Sequence, residues 1–133
     1  MTKIMVVEDE ADTRDVVELF LQNEGYETET ACDGMEFLNK VDEFYPDIVT
    51  LDVMMAGPTT REILSGLKER VANPKIILLT VVDLSDVEVE HLQHLGNIVD
   101  YILKPFELRD LLDRIHKHTI KTKEHDHTTV ISN

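Results

Sequence analysis

Ionisable and hydroxyl side chains stand at the ends of four short apolar runs in this sequence. They are Glu8, Asp9, Glu10, Asp52, Thr80 and Lys104. Clustered carboxylates favour a divalent cation, and Mg²⁺ suits them because it takes hard oxygen ligands and keeps several waters. A lysine pairs with a carboxylate and neutralises an anionic group arriving on it, and a hydroxyl donates to an anionic oxygen. Such a set predicts a phosphoryl-transfer site with a carboxylate as nucleophile.

Taken singly, each of these residues has a plainer explanation. Asp9 and Asp52 are residue types that commonly cap helices. Thr80 alone is an ordinary strand end, and Lys104 alone is a surface lysine. A functional site is favoured only because all four fall at the carboxyl ends of predicted strands, where open α/β sheets bind their ligands.

The strands that must position these residues are five short apolar runs. The runs lie at 3–7, 27–31, 47–51, 75–80 and 100–103. Four of them are nearly continuous Val, Ile, Leu and Met, which predicts strands buried on both faces. The run at 27–31 alternates polar and small residues instead, which predicts an edge strand.

Amphipathic stretches between the runs predict helices. They cover 11–24, 34–44 and 107–122, and two further helices follow Thr59 and Ser85. Asp33, Thr59 and Ser85 each have a glutamate three positions later, which is the spacing of a helix N-cap. Gly25 is expected to end the first helix. The alternation predicts an α/β fold, a doubly wound parallel sheet with helices on both faces.

Composition narrows the class of protein. The chain has 133 residues with 13 basic and 27 acidic side chains, a net charge of −14. The length favours one domain, over 1–122, followed by a flexible polar tail over 123–133. The acidic excess argues against binding to nucleic acid or to an anionic membrane surface. No apolar run approaches the ~20 residues of a membrane helix, and no secretory signal precedes the first strand, so we expect a cytoplasmic protein.

The single cysteine, Cys32, excludes an internal disulfide and fits a reducing compartment. It has no basic or histidine neighbour in sequence. We therefore interpret it as a small packing residue.

Five segments in this order together resemble one known family. They are KIMVVEDE at 3–10, ACDGME at 31–36, DIVTLDVMM at 47–55, IILLT at 76–80 and DYILKPF at 100–106. They are similar to the receiver domain of response regulators, the CheY-like family of two-component signalling. The resemblance covers the chain from about 3 to 118. It implies five parallel strands in the flavodoxin-like order 2-1-3-4-5.

The resemblance implies a role for each matching acidic residue. Asp52 would accept a phosphoryl group from a phosphohistidine of a histidine kinase or phosphotransfer protein. Asp9, Asp52 and the backbone carbonyl of Met54 would hold Mg²⁺ directly, and Glu8 would act through a metal-bound water.

It also implies a switch. Thr80 would hydrogen-bond the phosphoryl oxygen and Lys104 would pair with it. Tyr101 would be the aromatic whose ring swings inward, which remodels the surface of helix four, strand five and helix five. A downstream protein would read that surface, and a phosphorylation-dependent dimer is a further option. The chain would then be no enzyme beyond its own phosphoryl transfer and slow dephosphorylation, and we expect no effector domain.

Two departures from the family pattern stand out. The segment after Asp52 reads Met55-Ala56-Gly57-Pro58-Thr59-Thr60, without the family's Asp-Gly and with its proline displaced, so Gly57 is expected to form the turn. Val81 stands where the family prefers a small residue and is expected to crowd the site. Because Met54 and Val82 are also apolar, nothing there orients an attacking water, which predicts slow hydrolysis of the phosphoaspartate.

Three alternatives stay open. A small Mg²⁺-dependent phosphatase with an aspartyl nucleophile would need a second aspartate where Met54 stands. A flavodoxin-like FMN carrier would need a phosphate loop after strand one, but residues 8–12 are acidic and repel phosphate. A receiver-fold binding module that works without phosphate is the third.

Overall fold

A computed structural model describes residues 2–81, 86–94 and 96–131, with the backbone alone for 86–89 and 120–131. The strands are β1 Lys3–Val7, β2 Glu27–Ala31, β3 Ile48–Asp52, β4 Lys75–Thr80 and β5 Ile98–Leu103. The helices are α1 Ala11–Asn23, α2 Gly34–Phe44, α3 Thr60–Lys68, α4 Asp86–Gln93 and α5 Leu108–Ile131. Strand and helix alternate along the whole described chain, as predicted.

The five strands form one parallel sheet in the order β2-β1-β3-β4-β5. This confirms the doubly wound α/β fold and the strand order that the family resemblance implies. It also confirms β2 as an edge strand. The central position of β1 and β3 brings the ends of these two strands together, because Val7 pairs with Leu51.

Each face of the sheet carries its own apolar core. On one face, Phe37 of α2 and Ile63 of α3 pack against alternate strand residues such as Met5. On the other face, Leu21 of α1 and Ile115 of α5 pack against the intervening strand residues, such as Ile4 and Val6. Full burial of one such side chain contributes about 1.5–3 kcal/mol. The two cores therefore hold the strand ends in a fixed frame.

One strand prediction is wrong. The run at 100–103 was expected to be buried on both faces, but β5 is the second edge of the sheet. Val99, Asp100 and Tyr101 are only half-buried, and Leu103 is 43% exposed. A short run of apolar and mixed residues does not distinguish an edge strand from a central one, because neighbours elsewhere in the chain decide which strands flank it.

Two predicted helix starts are confirmed. Thr59 and Glu62 form a reciprocal capping box at the start of α3. The Asp33 carboxylate accepts the amide of Glu36 at 2.8 Å, and the Glu36 carboxylate in turn accepts the amide of Cys32 at 2.6 Å. The cap predicted at Ser85 lies outside the described residues.

The C-terminal ends of α1 and α5 were also predicted. Gly25 follows α1 with a φ of 96°, the left-handed region that favours glycine, which agrees with its predicted role. Helix α5 continues to Ile131, beyond the predicted boundary at 122. Polar residues at 123–131 therefore extend a helix where composition alone indicated a tail. The division of the chain at 122 stays a prediction.

Candidate functional site

The predicted site residues meet at the carboxyl edge of the sheet. Asp52 is the last residue of β3, where it pairs with Leu79 of β4. Glu8 directly follows β1, the neighbouring strand. Thr80 ends β4 and Lys104 follows β5. The parallel arrangement brings together side chains from four strands that are distant in sequence.

Lys104 joins two buried carboxylates. Its Nζ lies 3.0 Å from Oε1 of Glu8 and 3.1 Å from Oδ2 of Asp52. Glu8 and Asp52 are only 2% and 3% exposed. The amide of Met54 donates to the other carboxylate oxygen of Asp52 at 2.9 Å, which fixes the orientation of that side chain. The two carboxylates and the ammonium group together carry a net negative charge, so they attract a cation.

A metal ion fits the same carboxylates. Glu8, Asp9 and Asp52 each offer an oxygen, and these oxygens lie within 4.8 Å of one another. Glu8 and Asp52 are buried, whereas Asp9 is exposed at the mouth of the site. Hard carboxylate oxygens with one open side suit Mg²⁺, which keeps several of its waters.

Burial and charge shift the pKa values of this cluster. Burial raises the pKa of Glu8 above its ordinary value, and the nearby Asp52 raises it further, although Lys104 opposes both. Burial lowers the pKa of Lys104, but its hydrogen bonds to Glu8 and Asp52 outweigh that effect and the net shift is upward. The lysine therefore stays charged, and a proton or a cation relieves the repulsion between the two carboxylates.

Thr80 and Tyr101 lie on the adjoining strands. Thr80 is 1% exposed, and its carbonyl accepts the amide of Lys104 at 2.6 Å. Tyr101 is half-buried and packs against the core on the α2 and α3 face. Asp100 accepts the Tyr101 amide at 2.9 Å, and Arg114 of α5 donates to the Tyr101 carbonyl at 3.2 Å. The backbone at the predicted switch residue is thus tied to α5.

The loop after Asp52 follows the turn that its sequence indicates. Gly57 has a φ of 94°, which requires the conformational freedom of glycine. Met54 is 59% exposed and Val81 is 55% exposed, so both add apolar surface beside the site. Val82, the other residue in the prediction of slow hydrolysis, lies outside the described residues.

Sequence reasoning missed three contacts around the site. Arg14 of α1 donates to the Glu8 carbonyl at 2.9 Å. Asp100 binds both Arg114 and the buried His118, at 2.8 Å and 3.2 Å, which ties α5 to β5. Helical periodicity would have placed Arg114 and His118 one turn apart, but nothing in the sequence pairs them with a strand residue.

The interpretation of Cys32 as a packing residue is wrong. Its side chain is exposed. A hydrogen bond with Glu36 raises the pKa of the thiol above its ordinary value. The position directly after an edge strand, beside the α2 cap, leaves the side chain no core to enter.

The sequence of the chain matches one family model and named relatives from that family. The family model described as response regulator receiver domain matches residues 4–116. The response regulator ArlR of Staphylococcus aureus is 36% identical over 115 residues, which cover 86% of this chain and 51% of ArlR. The chain therefore spans about half the length of the curated relatives it matches.

Solved structures give the same result. A CheY-like receiver domain from Methanospirillum hungatei JF-1 superposes with a TM-score of 0.81 at 26% identity, covering 94% of this chain and 98% of its own. The response regulator TrrA from Thermotoga maritima, solved in complex with Mg(2+)-BeF, has a TM-score of 0.71 at 32% identity, covering 88% of this chain and 98% of its own.

No helix in the described part of the chain combines the length and the apolar character that crossing a membrane requires. The matched residues include all five strands except Lys3 of β1, and both acidic strand ends that build the site. The chain belongs to the response regulator receiver domain family.

Proposed function

We propose that this receiver domain is a phosphorylation-controlled signalling switch in which Asp52 is the phosphoacceptor. The observation that carries the proposal is the position of the Asp52 carboxylate, buried at the sheet edge, 3.1 Å from Lys104 and beside two further carboxylates. Glu8 is equally buried and also binds Lys104, but the family resemblance implies a phosphoacceptor at the end of the third strand, where Asp52 stands, and a water-mediated metal role for Glu8. The donor would be a phosphohistidine on a histidine kinase or a phosphotransfer protein.

The reaction is a displacement at phosphorus. A carboxylate oxygen of Asp52 forms the new O–P bond while the P–N bond to the donor imidazole breaks, and the released imidazole takes up a proton. Lys104 is placed to pair with the charge on the transferred group, and Thr80 to donate to one of its oxygens.

Mg²⁺ would be held by Asp9, Asp52 and the carbonyl of Met54, with Glu8 acting through a bound water. When bound, the ion neutralises charge on the phosphoryl oxygens and on the carboxylates. The carboxylate cluster and the presence of Mg(2+)-BeF in the TrrA structure support this assignment.

The output would be read from the face of α4, β5 and α5. Phosphorylation draws Thr80 toward the phosphoryl group, and the Tyr101 ring moves into the space this leaves. A downstream protein, or a second copy of the chain, then binds the altered face. A histidine kinase takes its phosphoryl group from ATP, which is present in the cytoplasm. We therefore propose that this protein is cytoplasmic.

Intact mass spectrometry tests the proposal. The protein is incubated with acetyl phosphate and Mg²⁺, alongside Asp52→Asn and the control Asp113→Asn, which changes an exposed carboxylate on α5. We expect wild type and Asp113→Asn to gain one phosphoryl group and Asp52→Asn to gain none. If wild type stays unmodified with and without Mg²⁺, the chain is a receiver-fold binding module that works without phosphate.

The lifetime of the phosphoaspartate is a separate prediction. Met54 and Val81 expose apolar surface beside Asp52, so no polar side chain from either position orients an attacking water. We expect the phosphorylated protein to persist for minutes or longer once acetyl phosphate is removed, measured by the decay of the phosphorylated mass. A decay within seconds would contradict this expectation.

A further inference from the structure

Arg14 crosses the turn between β1 and α1. It lies near the start of α1, is half-buried, and donates from Nη1 to the carbonyl oxygen of Glu8 at 2.9 Å. Glu8 is therefore held from two sides, because its amide also donates to the carbonyl of Ala31 in β2 at 3.0 Å. The turn that carries the acidic residues is fixed between a strand and a helix.

Asp9 depends on this turn more than the other carboxylates do. Lys104 holds the side chains of Glu8 and Asp52. Within the described residues, by contrast, no hydrogen bond or ion pair holds the carboxylate of Asp9, which is exposed. The backbone therefore fixes its Cα and Cβ, and no other described group holds its carboxylate.

The carbonyl that Arg14 binds belongs to the peptide unit that leads into Asp9. A peptide unit is planar, so holding the Glu8 oxygen also orients the Asp9 nitrogen and Cα. The neighbouring amide of Glu10 donates to the Glu8 carboxylate at 3.3 Å, a long and weak bond. Among these contacts, the Arg14 bond is the one that comes from a helix packed on the sheet.

We infer that Arg14 is a positioning residue of the acidic site: through the Glu8 carbonyl it holds Asp9 where it can bind a divalent cation together with Asp52. The inference rests on the proposed function, since the cation serves phosphoryl transfer. Arg14 itself touches neither the cation nor the phosphoryl group.

The guanidinium charge acts in the opposite direction from the geometry. A positive charge near the carboxylates weakens cation binding, so its removal alone would tighten it. In about 0.5 M KCl the Debye length falls to about 4 Å, which reduces this opposing effect. We expect the loss of positioning to dominate under that condition.

Isothermal titration calorimetry with Mg²⁺ in about 0.5 M KCl tests the inference on the whole chain. We expect Arg14→Gln to raise the Kd roughly tenfold, the lower range for loss of an outer-shell contact at a metal site. Arg14→Lys should restore part of the affinity because it keeps a donor. The control Arg61→Gln removes an exposed positive charge at the start of α3 and should leave the Kd unchanged.

Two further readouts separate positioning from a general loss of stability. The amides of Glu8 and Glu10, which donate to Ala31 and to the Glu8 carboxylate, should exchange faster in Arg14→Gln, with the core amides unaffected. In the acetyl phosphate reaction, the Mg²⁺ concentration for half-maximal rate should rise while the rate at saturating Mg²⁺ stays near wild type.

The outcomes distinguish this inference from the proposed function. An unchanged Mg²⁺ Kd in folded Arg14→Gln, or an equal rise in Arg61→Gln, overturns the role of Arg14. Failure of wild type to bind Mg²⁺ counts against the proposed function instead. In that case the amide exchange of Glu8 and Glu10 still decides whether Arg14 holds the turn.

Discussion

Lys104 is the one described cation that contacts the buried carboxylates of Glu8 and Asp52. Taking ions out of water costs several kcal/mol each, and a buried pair is tolerated because the partners compensate one another. Removal of one partner leaves the others uncompensated. The charge state of the resting site therefore depends on this residue.

We expect Lys104→Met to lower the free energy of unfolding by about 3 kcal/mol at pH 7.5 without metal. The loss should be smaller at pH 5.5. The pKa of Glu8 is already raised in the folded protein, and loss of Lys104 raises it further, so at lower pH the folded state gains stability by binding a proton there. Urea unfolding in EDTA at both pH values measures this. An equal loss at both would contradict it.

Thr50 in β3 differs from the paired charges of the site, because it is a buried polar residue without a partner among the described residues. Its hydroxyl is fully buried and, among the described residues, has no hydrogen-bond partner. We expect Thr50→Val to raise the free energy of unfolding by about 1 kcal/mol, because the desolvation cost disappears while the shape is kept. Thr28→Val, which removes a hydroxyl bonded to Gln22 and Glu18, should not stabilise the protein.

Residue types and spacing predicted which side chains would meet at the site, because parallel strands must end at one edge. The same residue types and spacing did not predict the hydrogen bond from Arg14 to the Glu8 carbonyl. Its contact depends on the direction in which a half-buried side chain leaves the first turns of α1, and helical periodicity specifies only the apolar face. The error at Cys32 has a similar origin, since residue type alone does not show whether a loop position faces the core.

At the scale of elements, the strand and helix boundaries followed from apolar runs and cap residues. The strands at Lys3–Val7, Glu27–Ala31 and Lys75–Thr80 agree with the predicted runs. The status of β5 as an edge could not be predicted from its own residues. The length of α5 could not either, because its last turns carry little of the apolar periodicity that predicts a packed helix.

The start of α2 gives a pH-dependent prediction. Glu36 binds Lys40 at 2.7 Å and the Cys32 amide, and these contacts lower its pKa from 4.5 to about 2. A lowered pKa in the folded state contributes stability above pH 4.5 that is lost as the pH falls toward 2. Because the Glu36 side chain is 35% exposed, screening reduces this contribution to about 1 kcal/mol.

Glu36→Gln removes the carboxylate and tests this contribution. We expect it to lower the free energy of unfolding by about 1 kcal/mol at pH 6 and to have little effect at pH 2.5. Chemical denaturation of both proteins at the two pH values gives the difference directly. A constant difference across this range would show that Glu36 acts through packing.

At the scale of the whole molecule, charge is the dominant property that composition predicts. A net charge of −14 on a chain of 133 residues makes like charges on the folded protein repel one another.

The fold class could be predicted from the alternation of strand and helix, whereas the strand order rested on the family resemblance. Local patterns specify elements, and the order in which they pair is decided by contacts between distant parts of the chain.

We expect added salt to stabilise the protein. In EDTA, raising KCl from about 0.02 M to about 0.3 M shortens the Debye length from about 20 Å to about 6 Å and should raise the Tm by several degrees. Thermal unfolding followed by circular dichroism measures this shift. Near the isoelectric point of about 4.6 the net charge vanishes, so the same salt step should have little effect there.

The strand order has a consequence for the sequence of events in folding. Lys104 and Glu8 are 96 positions apart, and β5 joins the sheet only through β4. On a growing chain, β1, β2 and β3 are made first and already carry both buried carboxylates, so the nascent sheet holds its negative charges before its lysine exists. Addition of β5 beside β4 supplies the missing charge, so the acidic site stays uncompensated until the second edge strand is in place.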